Sequence, residues 1–199
     1  MSLLSLSMWI ALPALASSDS KFAALRSAAD PLGNLSSFLE KYIGDCEAGS
    51  GPRCHAQAVS FRETSNGRRF VIMLGDDGAR LLSAGRFDAA SREYELRLTP
   101  FFAAGRYAVT HGAPKQTDNA GNPLLPLLTM RRRAPEDWDA TRLQRLITGR
   151  ELRVEVVFTP QDVWTLPRKR GERLRGIKSR INALQVTNGR TGEIVGSWP

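Results

Sequence analysis

Apolar residues recur at every second position over much of the chain after Ala58, and this period constrains the fold more than any other feature. In the segment REYELRL, Tyr94, Leu96 and Leu98 alternate with charged residues. Such alternation gives a strand with one apolar and one polar face, as in an antiparallel sheet that is solvated on one side. The chain is therefore expected to be rich in half-buried strands.

Turn residues separate several of these runs. The pairs Asn66-Gly67 and Asp77-Gly78 stand between strand-like segments and predict two-residue hairpin turns. Short strands joined by such turns predict a mostly antiparallel β-domain over residues 57–199, built as a barrel or a sandwich.

A stripe of apolar residues with helical spacing precedes the strands. Asn34 is a suitable N-cap, and apolar residues three and four positions apart follow it. The stripe consists of Leu35, Phe38, Leu39, Tyr42, Ile43 and Cys46. We expect an α+β fold in which helices of the segment 17–56 pack against the β-domain, so that both form one globular unit.

The first 16 residues have most features of a signal peptide. They carry no charged side chain and end in Ala14-Leu15-Ala16, the small-x-small pattern that precedes cleavage. The apolar run is too short and too interrupted for a transmembrane helix. The pattern departs from a standard signal peptide because no Lys or Arg stands near the N-terminus. Export is expected, with a mature chain that starts at Ser17; a buried N-terminal helix is the alternative.

The two cysteines agree with export. Cys46 and Cys54 flank a Gly-Ser-Gly-Pro segment, and flexible residues between two nearby thiols allow them to meet. In an oxidising compartment this spacing predicts a disulfide. Free thiols are one alternative, and a metal site that adds His55 and His111 is another.

Motifs of common enzyme classes are absent. The sequence contains no G-x-S-x-G, H-E-x-x-H or C-x-x-C pattern and no Gly-rich phosphate loop. The enzymatic alternative is a periplasmic hydrolase that uses His111 at the start of the loop at residues 112–126. A calcium loop with Asp118, Asn119 and Asn122 is a further alternative, but turn chemistry explains the same residues. No cofactor or catalytic residue is assigned.

A basic segment remains. The formal net charge is +8, and residues 131–180 hold fourteen basic and seven acidic side chains. The candidate anion-binding residues are Arg168, Lys169, Arg170, Arg173, Arg175, Lys178 and Arg180. Charged strands also discourage edge-to-edge aggregation, which needs no partner. Nucleic acid is disfavoured by export and by the scarcity of neighbouring aromatic residues.

Together these features predict an exported, soluble envelope protein of unknown activity. We interpret it as a non-catalytic binding or structural module whose basic face contacts an anionic envelope component, such as lipid, lipopolysaccharide or an acidic polymer. The sequence leaves the ligand and the oligomeric state open.

Overall fold

The computed structural model describes residues 17–44, 51–118, 121–167 and 173–199. These residues form five helices and ten strands. The helices are α1 (Ser18–Ser27), α2 (Leu35–Ile43), α3 (Gly51–Ser65), α4 (Asp76–Ala79) and α5 (Arg142–Thr148). The strands are β1 (Asp30–Pro31), β2 (Phe70–Leu74), β3 (Leu82–Asp88), β4 (Glu93–Leu98), β5 (Phe101–Ala104), β6 (Tyr107–His111), β7 (Leu128–Arg133), β8 (Leu152–Pro167), β9 (Arg173–Asn188) and β10 (Ile194–Trp198).

The long hairpin of β8 and β9 forms the centre of the larger sheet. Its strands pair antiparallel from Leu152 opposite Asn188 to Pro167 opposite Arg173. The strand order is β1-β2-β8-β9-β6-β5, and β10 pairs with the C-terminal part of β9. Antiparallel pairs predominate, as predicted, but β6 runs parallel to β9 and β1 runs parallel to β2.

A second sheet, with the order β3-β4-β7, shares one apolar core with the larger sheet. The alternation predicted for β4 is confirmed, because Tyr94, Leu96 and Leu98 are all buried. They belong to the same cluster as Ile181 and Leu184 of β9. The α+β class is confirmed. Of the barrel and the sandwich that the sequence left open, the described strands do not form the closed barrel, because they are arranged in two open sheets.

The apolar stripe after Asn34 is helix α2, as predicted. The Asn34 side chain accepts a hydrogen bond from the backbone N–H of Ser37 at 2.9 Å, which caps the helix. The buried residues of the helix are Leu35, Phe38, Leu39, Tyr42 and Ile43. Gly44 ends it in the left-handed region, with φ of +69°. The described part of the stripe therefore packs in the core.

Helix α1 lies against the larger sheet through a smaller apolar cluster. Phe22 is buried and packs with Val157 of β8 and Ala183 of β9. The side chain of Ser17, just before the helix, accepts a hydrogen bond from the backbone of Ser20. The helix is thus capped and docked by residues that all follow residue 16.

The hairpin predicted at Asn66-Gly67 is wrong. The run before this pair is helix α3, which ends at Ser65 and crosses the expected boundary at residue 57. The N–H of Asn66 donates to the carbonyl of Arg62, and Gly67 has φ of +81°. Asn-Gly suits a helix end as well as a hairpin because both structures place a residue at positive φ.

The hairpin predicted at Asp77-Gly78 is also wrong. These residues lie in α4, and the flanking strands β2 and β3 belong to different sheets. A Cβ added at Gly78 would lie 2.9 Å from Leu74 Cβ and 3.4 Å from Val154 Cβ. Close packing of α4 against β8 therefore explains this glycine, and a positive φ does not.

Several of the sequence-based predictions involve residues outside the described ranges. These residues are 1–16, Cys46, Asn119 and Arg168–Arg170. The predictions that depend on them stay predictions. Within the described ranges, no helix combines the length and the apolar character needed to cross a membrane.

Gly176 on β9 packs closely against both neighbouring strands, β6 and β8, and it yields a stability prediction. A Cβ there would lie 2.4 Å from Trp164 Cζ2 and 2.5 Å from the Ala108 carbonyl oxygen. We expect Gly176→Ala to lower the free energy of unfolding by roughly 1–3 kcal/mol, because a rigid ring and a backbone atom must both shift. Urea unfolding measures this loss.

Gly33→Ala is the matched control, since a Cβ at Gly33 has nothing within 4 Å. Equal unfolding midpoints for the two variants would contradict the close approach at Gly176.

Candidate functional site

Two hairpin ends lie side by side at one end of the larger sheet. Gly105 and Arg106 join β5 to β6, and Gly105 has φ of +62°. Strand β6 then runs parallel to β9, with Tyr107 opposite Arg175. This pairing places Arg106 beside the start of β9 at Arg173, close to the end of the β8–β9 hairpin.

A pocket of about 460 Å³ lies between the β5–β6 turn and the start of β9, and we call it the tip pocket. Its lining residues are Phe101, Ala103, Gly105, Arg106, Tyr107, Arg173 and Leu174. The Arg106 guanidinium lies over the ring of Tyr107, 5.7 Å from its centroid. The described lining contains two cations and no acidic residue, so the pocket combines an apolar interior with positive charge.

A buried apolar cluster adjoins the tip pocket. Trp164, Leu166 and Ala108 are buried together, and Phe101 and Leu174 of the pocket lining pack against them. Trp164 is only 7% exposed, and no group within the described residues accepts a hydrogen bond from its Nε1–H. An unsatisfied buried donor costs about 1–3 kcal/mol. The apolar packing around this ring therefore has to offset that cost.

The seven predicted basic residues do not share one face of the sheet. The structure describes four of them, and regular pairing with β6 fixes their alternation. Arg173 and Arg175 lie on the face of the core residue Ile177, whereas Lys178 and Arg180 lie on the opposite face. Among these four, Arg173 is the residue that lines the tip pocket.

Arg106 belongs to the site, and the sequence reasoning missed it. The only local signal was the Gly105-Arg106 pair between the short apolar runs FFAA and YAVTH. That pair indicates a turn but does not say which other turn it meets. Parallel pairing of β6 with the distant strand β9 brings Arg106 to Arg173, and no spacing in the sequence reveals such a pairing.

His111 is held by the backbone and is not arranged as a general base. Its Nδ1 accepts a hydrogen bond from the N–H of Ile181 at 3.0 Å, and its ring lies edge-on to Trp198. When Nδ1 accepts in a neutral imidazole, Nε2 carries the proton and has no lone pair to offer. Burial lowers the pKa of His111 below its ordinary value. The geometry supports a structural role for this residue.

The other residues weighed for metal binding lie apart or serve a turn. Asp118 accepts the N–H of Asn122 at 2.8 Å, so its carboxylate closes a local turn. Cys54 and His55 lie on α3, whereas His111 lies on β6. Among the described residues, no group of three or more His, Cys, Asp or Glu side chains could hold a metal ion.

Comparison with known proteins identifies the family of the chain. The model of a family of unknown function, DUF6066, matches residues 2–199. The chain belongs to DUF6066. No curated protein and no solved structure matches it. Membership in DUF6066 therefore supplies no activity, and the tip pocket has to be interpreted from its own chemistry.

The environment of His111 predicts how the stability of this DUF6066 chain depends on pH. The folded state favours neutral imidazole, so the unfolded chain takes up the proton first as the pH falls. The contribution of His111 is therefore complete above about pH 6.5 and is lost as the pH falls through its lowered folded pKa. Urea unfolding at pH 8 and pH 5.5 measures the loss.

His111→Asn is the control for this prediction, because its side-chain oxygen can still accept from Ile181 but does not titrate. We expect the variant to lose less stability than the wild type between the two pH values. Equal losses would contradict a contribution from His111.

Proposed function

We propose that this protein is an exported, non-catalytic module that binds an anionic amphiphile, a component of the cell-envelope lipids, at the tip pocket. The observation that carries the proposal is the presence of Arg106 and Arg173 on the lining of an apolar pocket. A guanidinium binds phosphate or carboxylate oxygens through two parallel hydrogen bonds. The apolar interior accepts the adjoining hydrocarbon.

The combination of apolar and cationic residues in the pocket favours one class of anionic ligand over the others, which charge alone does not distinguish. Phe101 and Leu174 on the lining offer no hydrogen bonds to the hydroxyl groups of an acidic polymer. Nucleic-acid binding normally uses exposed aromatic rings for stacking, whereas Tyr107 is only 3% exposed. An anionic lipid provides both the charge and the hydrocarbon that this lining can contact.

Export is supported by the contacts of the residues that follow the expected cleavage site. Helix α1 starts at Ser18 and is capped by Ser17, the expected first residue of the mature chain. Asp19 accepts hydrogen bonds from Arg132 at 2.9 Å and from Ser197 at 2.7 Å. Cleavage after residue 16 would leave each of these contacts intact.

The Cys46–Cys54 disulfide belongs to the same proposal. Cys54 has a bonding partner, and no cysteine within the described residues is free. A disulfide here would join the segment after α2 to the first turn of α3. The short closed loop should contribute less than the ~3 kcal/mol expected for a fifteen-residue loop.

Intact mass spectrometry of each cell fraction tests export and the disulfide together. After expression of residues 1–199 in a bacterial host, we expect a periplasmic product that starts at Ser17. Without reductant, its mass should be lower by two hydrogens, because a disulfide replaces two thiols. The double variant Cys46→Ser and Cys54→Ser should be exported without that difference. A full-length, reduced product in the cytoplasm would contradict both predictions.

Vesicle binding tests the tip pocket. We expect the double variant Arg106→Gln and Arg173→Gln to bind phosphatidylglycerol-containing vesicles roughly thirtyfold more weakly than the wild type. Each basic residue near an anionic membrane surface contributes about 1 kcal/mol to the binding free energy. Vesicle co-sedimentation at fixed ionic strength measures the affinity.

Arg53→Gln with Arg69→Gln is the matched control, since it removes the same charge from two exposed residues outside the pocket. Equal affinities for the two double variants would show that net charge alone drives binding and would contradict the proposal. Tighter binding of the wild type to a nucleic acid than to vesicles would contradict it as well.

A further inference from the structure

A second apolar cavity, of about 680 Å³, lies between β2 and β5. We call it the seam groove, because β2 and β5 lie near the two ends of the strand order in the larger sheet. Leu35, Leu74, Leu81, Phe102 and Ala104 contribute to its wall. The volume falls within the range of about 300–1,000 Å³ that is typical of small-molecule sites.

The groove exists because the sheet stops short of closing. On the β2 side, the last hydrogen bond from the β1 segment runs from the N–H of Leu32 to the carbonyl of Val71. Beyond it, Met73 on the groove wall is 51% exposed. On the other side, β5 ends the strand order and pairs only with β6 among the described strands. Two strand edges therefore bound the groove.

The seam groove and the tip pocket adjoin each other. Phe101 and Ala103 of β5 line both cavities, so the two cavities meet at that strand. A ligand that follows β5 would pass from one to the other. The tip pocket would then hold one end of the ligand and the seam groove the rest.

The charges of the lining indicate which class of ligand fits. Arg80 lines the seam groove, and Arg106 and Arg173 line the tip pocket. The lining is thus apolar along the groove and cationic at the tip, which complements an alkyl chain with a negative head group.

We infer that the seam groove holds the alkyl chain of a single anionic amphiphile whose head group binds Arg106 and Arg173. This inference rests on the proposed function and deepens it. The protein would then bind a single lipid-like molecule in its two cavities, in addition to binding the surface of an anionic membrane. Covering the apolar walls would supply the binding free energy, and the arginines would set the orientation.

Titration calorimetry with octanoate, decanoate and dodecanoate below their micellar concentrations tests the assignment. If the chain enters the groove, affinity should rise about fourfold for each added methylene. The binding stoichiometry should be one ligand per protein chain. Trimethylammonium amphiphiles of the same chain lengths should bind more weakly, because their head group is repelled by the arginines.

Two substitutions in the groove make the test specific. Ala104→Trp should fill the groove and abolish the rise of affinity with chain length. The Met73→Glu variant should fold, because Met73 is exposed. Its carboxylate should weaken fatty-acid binding, because a charge is unfavourable beside an alkyl chain and repels the anionic head group. Val59→Trp and Val59→Glu are the matched controls, since Val59 is 44% exposed on α3 and lines neither cavity.

The outcomes distinguish this inference from the proposed function. If Arg106→Gln with Arg173→Gln weakens vesicle binding but affinity for fatty acids does not rise with chain length, the seam groove assignment is overturned and the tip pocket stands. If that double variant binds vesicles as the wild type does, the proposed function fails first. A dimer in sedimentation that Ala104→Trp dissociates would assign the groove to a second copy of the chain and overturn the inference.

Discussion

The antiparallel pairing of β8 with β9 is the interaction on which the rest of the structure depends. Each strand has 16 residues, and their pairing runs almost without interruption from Leu152 to Pro167. The opposite edge of β9 is divided between β6 at its start and β10 at its end. Register shifts near Phe158 and Asp162 interrupt the ladder. Such bulges increase local twist, which helps a long hairpin to curve around a core.

The fold also determines how much positive charge the excess of basic residues leaves on the surface. Several arginines form ion pairs with neighbouring carboxylates. Glu95 contacts both Arg97 and Arg131, and Arg26 contacts Glu155. Exposed pairs of this kind contribute little to stability, typically less than about 1 kcal/mol each. They neutralise charge nonetheless, so a count of basic residues overstates the positive surface. The tip pocket differs because two arginines, Arg106 and Arg173, line one apolar cavity.

The sequence predicted elements well where one local pattern had one structural meaning. The stripe of α2 and the alternation around Leu96 both describe a single buried face, and both are confirmed. Asn66-Gly67 was misread because positive φ serves helix ends and hairpins alike. The pairing of β6 with β9, and with it the meeting of Arg106 and Arg173, joins distant segments. Such long-range contacts leave no periodic trace, so the candidate site could not be predicted in full.

The contact between α1 and β10 joins segments that lie far apart in the sequence. Asp19 and Ser197 are 178 residues apart in the sequence, and Ser197 Oγ donates a hydrogen bond to Asp19 Oδ1 at 2.7 Å. Synthesis produces α1 well before β10, so Ser197, the partner of Asp19, does not exist until the strands between them have been made. The local β8–β9 hairpin can form before this contact, because closing a short loop costs less entropy than closing a long one. Helix α1 is thus among the last of the described elements able to complete its contacts.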